Sequence, residues 1–279
     1  MPDALSGLPD ELPPLRDVIA RHEIRATKAL GQNFLLDLNL TRKIARAGGP
    51  LKGQTVLEIG PGPGGLTRAL LAEGADHVVA VERDRRCLAA LRELADLVPG
   101  RLTLVEADAL EIDEYDLDPK PGRIVANLPY NISTPLLFKW LDRLDLFEHM
   151  VLMFQKEVVD RLIAKPSTKA YGRLSVITQW LCETKFEFNV DKRAFTPPPK
   201  IQSSVLTLRP RTKPLYAAKF EDMEKVTATA FGQRRKMLRS SLKPLDIDIS
   251  TLGIDPTARA ENLTIEEFCL LAKAIEGRD

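Results

Sequence analysis

The sequence predicts an α/β fold, a parallel sheet followed by a small all-α C-terminal domain, and three observations carry that prediction. From Thr55 onward, short β-branched runs alternate with longer amphipathic stretches, the signature of successive βαβ units. The short runs are almost continuously apolar, as strands covered on both faces are. From about residue 218 the pattern is helical and contains no strand run.

In chain order, "TVLEIG" (55–60) is the first candidate strand, and the helical "LTRALLAEG" after it stops on Gly74. "HVVAVE" (77–82) is the second, followed by "DRRCLAALRELADLV", where Leu88, Leu91, Leu94 and Leu97 recur at helical spacing. "LTLVEA" (102–107), "RIVANL" (123–128) and "HMVLMF" (149–154) continue the strand series. Helical stretches are expected over 156–164 and 172–184, then strands at "KFEFNV" and "SSVLTLRP" separated by the stiff loop "FTPPPK". "RPRTKPLY" reads as a linker, so the expected organisation is an extension over 1–24, a sheet domain over 25–210 and a helical domain over 211–279.

Composition narrows the class. With 279 residues, 44% hydrophobic and 28% charged, the chain reads as an ordinary globular protein able to bury a sizeable core. The N-terminus lacks the basic and apolar regions of a secretory signal, and no apolar run is long enough to span a bilayer. Cys87, Cys182 and Cys269 are far apart, which argues against a zinc site or a disulfide framework and favours the reduced cytoplasm. His22, His77 and His149 form no metal-ligand or triad spacing. The net charge of +1 gives no global sign of nucleic-acid binding, so basic patches must be sought locally.

The chemistry concentrates at strand ends. Gly60, Gly62 and Gly65 match G-x-G-x-x-G between the first strand and the next helix, where backbone approaches a ligand closely and the helix N-terminus is electropositive. Glu82 ends the second strand 22 positions after Gly60, where an acid binds ribose hydroxyls. Asp108 ends the third, where a carboxylate accepts from an adenine amino group. Any one of these acids alone would be read as a cap. Together they suit S-adenosylmethionine as well as a nicotinamide dinucleotide.

"RIVANLPYNISTPLLF" (123–138) breaks an apolar strand with Asn127-Leu128-Pro129-Tyr130. An exocyclic adenine nitrogen is a poor nucleophile because its lone pair is delocalised into the ring. Acceptors on its hydrogens, the Asn127 side-chain oxygen and the Leu128 carbonyl, favour the tetrahedral form that attacks a sulfonium methyl. Pro129 fixes the turn, and Tyr130 offers a ring on which a flipped-out base can stack. Phe195, ahead of Pro197-Pro198-Pro199, is either a second stacking aromatic, worth about 1–3 kcal/mol per base, or a core phenylalanine before a turn. "GQRRKMLRSSLK" carries Arg234, Arg235, Lys236, Arg239 and Lys243 without an acid; on a helix Arg235 and Arg239 would share a phosphate-facing side.

These segments, with "KALGQNFL", "LMFQKEVVDRL", "YGRLSV", "FTPPPKIQSSV" and "FGQRRKMLRSSL", stand in the order seen in ribosomal RNA adenine N6,N6-dimethyltransferases, which the chain resembles over roughly 25–275. The resemblance is closest to the bacterial small-subunit branch. It implies a Rossmann-like, seven-stranded S-adenosylmethionine-dependent methyltransferase sheet, a small helical C-terminal domain, and dimethylation of two adjacent adenosines near the 3′ end of small-subunit ribosomal RNA. By motif, Asn33, Leu35, Gly60, Glu82, Asp108 and Asn127 are expected to contact S-adenosylmethionine, within a glycine loop that includes Gly62. Phe195 is expected to stack on the target adenine opposite Tyr130. The implied partner is the small ribosomal subunit with its RNA, met by a monomer without metal or membrane. The rivals are the related large-subunit methyltransferase, a nicotinamide oxidoreductase, and an assembly factor that mainly binds immature subunits.

Overall fold

The computed structural model describes residue 8, residues 12–27 and residues 30–277. The extension expected over 1–24 therefore lies partly outside the described residues, as do Lys28 and Ala29 of "KALGQNFL". Helix α1 (Leu15–Arg21), the short strand β1 (Phe34–Leu35) and helix α2 (Leu38–Arg46) come first. Then follow β2 (Thr55–Ile59), α3 (Gly65–Ala72), β3 (His77–Glu82), α4 (Arg85–Leu97), β4 (Leu102–Glu106), β5 (Arg123–Asn127), α5 (Ser133–Leu141) and β6 (His149–Gln155). Helices α6 (Lys156–Leu162) and α7 (Arg173–Leu181) lead into β7 (Cys182–Val190), β8 (Phe195–Thr196) and β9 (Ser203–Pro210). Helices α8 (Phe220–Gly232), α9 (Leu238–Ser241) and α10 (Ile265–Ile275) complete the order.

Seven strands lie in the order β4-β3-β2-β5-β6-β9-β7. The first five of these pair in parallel, and β9 runs antiparallel to β6. Interior strands carry side chains such as Val56, Leu57, Val79, Ile124, Leu152 and Phe154, all fully buried. Burying each contributes about 1.5–3 kcal/mol, which is why their sequences are continuous apolar runs. Strand β4, at the sheet edge, is only half-buried. Successive strands run outward from β2 through β3 to β4, whereas β5 and β6 run the other way. Strand order thus reverses between β2 and β5, and ligands bind at such a switch point, beyond the strands' carboxyl ends.

The chain forms two compact units, one of residues up to Lys156 with Phe186–Leu208, the other of Glu157–Lys185 with Arg209 onward. The sequence-based division at 210 treated everything before the linker as one domain, whereas α6 and α7 group with the C-terminal helices. A linear pattern records covalent order, and the chain here passes between units three times. Within the second unit, Trp180 is buried and its Nε1 donates to the Tyr216 carbonyl at 2.7 Å. The Phe231 ring stacks on Phe268 and meets Tyr171 edge-on.

Two local expectations are corrected. The helix expected over 172–184 ends at Leu181, because Cys182 onward enters the sheet as β7 and strand pairing overrides local propensity. The basic segment is not one helix: α8 ends at Gly232 and α9 begins at Leu238. Between them the backbone finds partners elsewhere. Met237 bridges Arg259, the Leu238 N–H donates to the Ala258 carbonyl and the Arg239 N–H to the Pro256 carbonyl. Among the described residues no helix is long and apolar enough to cross a membrane.

One buried charge cluster secures the helix that follows the Asn127–Tyr130 turn. Glu114, 1% exposed, accepts from Trp140 Nε1 at 2.9 Å and pairs with Lys139 Nζ at 3.0 Å, both on α5, and with Arg143 Nη1 at 3.5 Å. Removing Glu114 leaves Lys139 without its counter-charge and Trp140 Nε1 without its acceptor, while Arg143 keeps Asp113. Glu114→Ala is expected to cost about 3–5 kcal/mol in denaturant unfolding, and a loss below about 1 kcal/mol would show that the cluster does not anchor α5.

Candidate active site

The cleft lies at the carboxyl ends of β2, β3, β4 and β5, with the segment around β1 forming a further wall. It is open to solvent and is lined by Asn33, Leu35, Gly60, Gly62, Glu82, Asp108, Asn127, Leu128 and Tyr130 among others. Every expected donor-binding residue, three strands apart at the extremes, is therefore brought to one place.

The glycine loop takes its shape from close approach. Gly62 has φ +57°, and a β-carbon there would lie 3.0 Å from the Phe34 ring. At Gly65 a β-carbon would meet the Leu35 carbonyl oxygen at 2.3 Å, so only hydrogen fits. The "GQNFL" segment thus packs directly on the loop. Glu82, 5% exposed, pins the loop from the other side: it accepts from the Gly62 N–H at 3.0 Å and from the Arg83 and Asp84 N–H groups at 2.9 and 2.8 Å. Burial pushes its carboxyl above the usual carboxylate range, opposed by these backbone hydrogen bonds. Such a carboxylate retains lone pairs toward the cleft, as binding vicinal hydroxyls requires.

Asp108 accepts from the Leu110 N–H at 3.0 Å and from Arg83 Nη1 at 2.7 Å, which orients the carboxylate at the cleft margin. Sequence reasoning missed Arg83, Gln32 and Glu58. Gln32 Nε2 donates to Asp84 at 2.9 Å and so fastens the "GQNFL" segment to the turn after β3. Asp84 is itself pulled down to about 2 by the Arg86 guanidinium. Glu58 is buried in β2 and accepts from the Thr67 hydroxyl at 2.7 Å. Desolvation pushes its carboxyl up to about 8. Its signal was legible as the one acid in the otherwise apolar "VLEI".

At the end of β5, Asn127 Nδ2 donates to the Asn33 carbonyl at 3.2 Å. Because a carbonyl only accepts, this contact fixes the amide's orientation and leaves Oδ1 as the acceptor facing away from it. Pro129 lies against Gly60, where a β-carbon would stand 3.4 Å from the proline ring. The Tyr130 hydroxyl meets Ser203 Oγ at 2.6 Å, and burial raises its pKa above the ordinary tyrosine value, so the phenol stays neutral.

Phe195 is not brought to the cleft. Its backbone pairs with Leu35 across the β1–β8 ladder, and its ring, 2% exposed, joins the buried cluster of Leu35, Val190 and Val205. The ring is thus enclosed and not presented at the cleft, which favours the core-phenylalanine reading over stacking opposite Tyr130. Arg234 is likewise a brace within the second unit: it donates to Glu261 at 2.9 Å, to the Tyr171 carbonyl at 3.1 Å and to the Lys169 carbonyl at 2.5 Å. Arg235, Lys236 and Arg239 are exposed. Among the described residues no group of three or more His, Cys, Asp or Glu side chains is arranged to hold a metal ion.

Known proteins share this arrangement over nearly the whole chain. A family model described as ribosomal RNA adenine dimethylase matches residues 23–276. The ribosomal RNA small subunit methyltransferase A of Paramagnetospirillum magneticum is 61% identical over 272 residues, 96% of each chain. That of Rhodospirillum rubrum is 60% identical over 271 residues, 96% of this chain and 94% of the relative. Among solved structures, a dimethyladenosine transferase from Plasmodium falciparum superposes with a TM-score of 0.73 at 26% identity, covering 85% of this chain and 95% of the other. The 23S rRNA methyltransferase ErmE gives 0.65 at 29% identity, covering 88% and 100%. The cleft's acids left a dinucleotide and S-adenosylmethionine both open; a match spanning glycine loop, "NLPY" turn and C-terminal helices closes that choice, and the chain belongs to the ribosomal RNA adenine dimethylase family.

Proposed function

We propose that this chain methylates N6 of two adjacent adenosines near the 3′ end of small-subunit ribosomal RNA, giving N6,N6-dimethyladenosine during subunit biogenesis in the cytoplasm. The observation that carries the reading is the Asn127 amide, held by the Asn33 carbonyl so that its oxygen remains an acceptor at the cleft. When bound, S-adenosylmethionine supplies an electrophilic methyl group. The acids of the cleft fit it: Glu82 suits ribose hydroxyls, Asp108 an adenine amino group, and Gly60 and Gly62 the close approach of backbone. Asn33 and Leu35 close the same wall. Asn127 Oδ1 and the Leu128 carbonyl accept from the target amine and draw its nitrogen toward the tetrahedral form, while the Tyr130 ring supports the base. A general base is not needed among these residues, since the methylated nitrogen is a protonated ammonium that sheds its proton to water. Identity of about 60% to relatives named for the small subunit, against 29% to the large-subunit ErmE, favours the small subunit as substrate. The chain is taken to act as a monomer without metal.

Incubation with labelled methyl donor and unmethylated small subunits, followed by nucleoside analysis, is expected to yield N6,N6-dimethyladenosine. Its absence would overturn the reading. Asn127→Ala is expected to lower kcat by about 100-fold or more while leaving subunit affinity within about twofold. Near wild-type turnover would remove Asn127 from the chemistry.

Arg235, Lys236 and Arg239 are proposed to contact RNA phosphates, with Arg234 bracing the turn that presents them. Each productive contact releases counterions, so the joint variant Arg235→Gln/Arg239→Gln is expected to reduce the slope of log affinity against log salt by about 1.4–1.8. Donor binding should not change. An unaltered slope would mean an ordinary solvated basic surface.

A further inference from the structure

Tyr130 is fixed at both ends. Its carbonyl accepts from the Ser133 hydroxyl at 3.1 Å, at the start of α5, and its phenol meets Ser203 Oγ at 2.6 Å. Ser203 is fully buried and opens β9, aligned with Gln155 of β6 in the antiparallel ladder. The neighbouring Ser204 hydroxyl donates to Asn189 Oδ1 at 2.7 Å, tying the same point of β9 to β7. The partner of the phenol is therefore a rigid part of the sheet and not a mobile loop. A tyrosine ring held only through its β-carbon keeps rotational freedom about two torsions. A hydroxyl bond to the sheet fixes the direction of the ring's long axis, and with it the first torsion, before any base arrives, and preorganisation of this kind lowers the ordering cost of capture.

From this we infer that Ser203 is a positioning residue for methyl transfer, acting through the Tyr130 hydroxyl to set the angle of the ring that supports the target base. The inference rests on the function proposed above and adds a requirement to it: the hydroxyl of Tyr130 matters, and not only its aromatic face. Ser203 touches neither donor nor base. Its contribution belongs to turnover and leaves donor binding alone, because Glu82, Asp108 and the glycine loop are held by other partners.

The test compares wild type, Ser203→Ala, Ser203→Thr, Tyr130→Phe and the Tyr130→Phe/Ser203→Ala pair. Steady-state kinetics on unmethylated small subunits are combined with donor calorimetry and Tyr130 χ1 rotamer populations from three-bond couplings in tyrosine-labelled NMR, where the chain's four tyrosines keep assignment simple. Ser203→Ala and Tyr130→Phe are each expected to lower kcat about tenfold with donor affinity unchanged, and the pair to be no worse than either single change. Ser203→Thr, which keeps a hydroxyl, should recover most of the loss. The first torsion of Tyr130 should populate further rotamers in Ser203→Ala whatever the substrate, so failure of the proposed reaction and failure of the tether are read separately. Should Ser203→Ala fold poorly, Tyr130→Phe tests the same bond with the serine intact. Unchanged Tyr130 rotamer populations in Ser203→Ala, kcat within twofold of wild type in Tyr130→Phe, or losses that multiply in the pair would each overturn the inference.

Discussion

The site depends on one carboxylate deprived of water. Glu82 receives N–H groups from two different connections, Gly62 after β2 and Arg83 and Asp84 after β3. A single side chain thereby sets the distance between the ends of adjacent strands. Hydrogen bonds to a charged acceptor are worth about 1.5–3 kcal/mol each, and together they oppose the desolvation that raises its pKa. Without them the glycine loop would have to satisfy Gly62 N–H elsewhere, and the walls formed by Phe34 and Leu35 would lose the surface on which they pack.

From that fixed loop the rest of the cleft follows by contact. Gly65 admits the Leu35 carbonyl, Gly60 admits Pro129, and the Asn33 carbonyl turns the Asn127 amide. Strand β1 also pairs with β8, so the segment that walls the donor side is laddered to the one carrying Phe195. Phe195 acts in that account as packing beneath the wall. Glu58 adds a second buried acid near Glu82, and with its carboxyl raised to about 8 it keeps its proton at neutral pH. Two like charges side by side in a dry site are thereby avoided.

The sheet was legible because buried parallel strands announce themselves: "HVVAVE" and "SSVLTLRP" were placed with the boundaries the structure gives them, 77–82 and 203–210. Glu82, Asp108 and Asn127 stood out because a polar side chain at the end of an apolar strand is costly unless it is hydrogen-bonded, and all three line the cleft. What stayed hidden depends on distant partners. Arg83 gains meaning only beside Asp108, Ser203 only beside Tyr130, and Arg234 only beside Glu261. The basic segment read as a helix because its local propensity is helical, yet its backbone bonds to residues 256–259 instead. Phe195 preceded a proline-rich loop, the setting of an exposed aromatic, and pairing with β1 turned it inward.

The most direct measurement is donor affinity in Glu82→Gln. The amide keeps the size of the carboxylate but loses its charge and one of its two acceptor oxygens, so it cannot satisfy the N–H groups and the ribose together. Calorimetry with S-adenosylmethionine should show affinity weakened by about 10- to 150-fold, the equivalent of about 1.5–3 kcal/mol, in a variant that still folds cooperatively. Donor affinity equal to wild type in a folded Glu82→Gln protein would contradict the account, because the loop and its ligand would then not depend on that carboxylate.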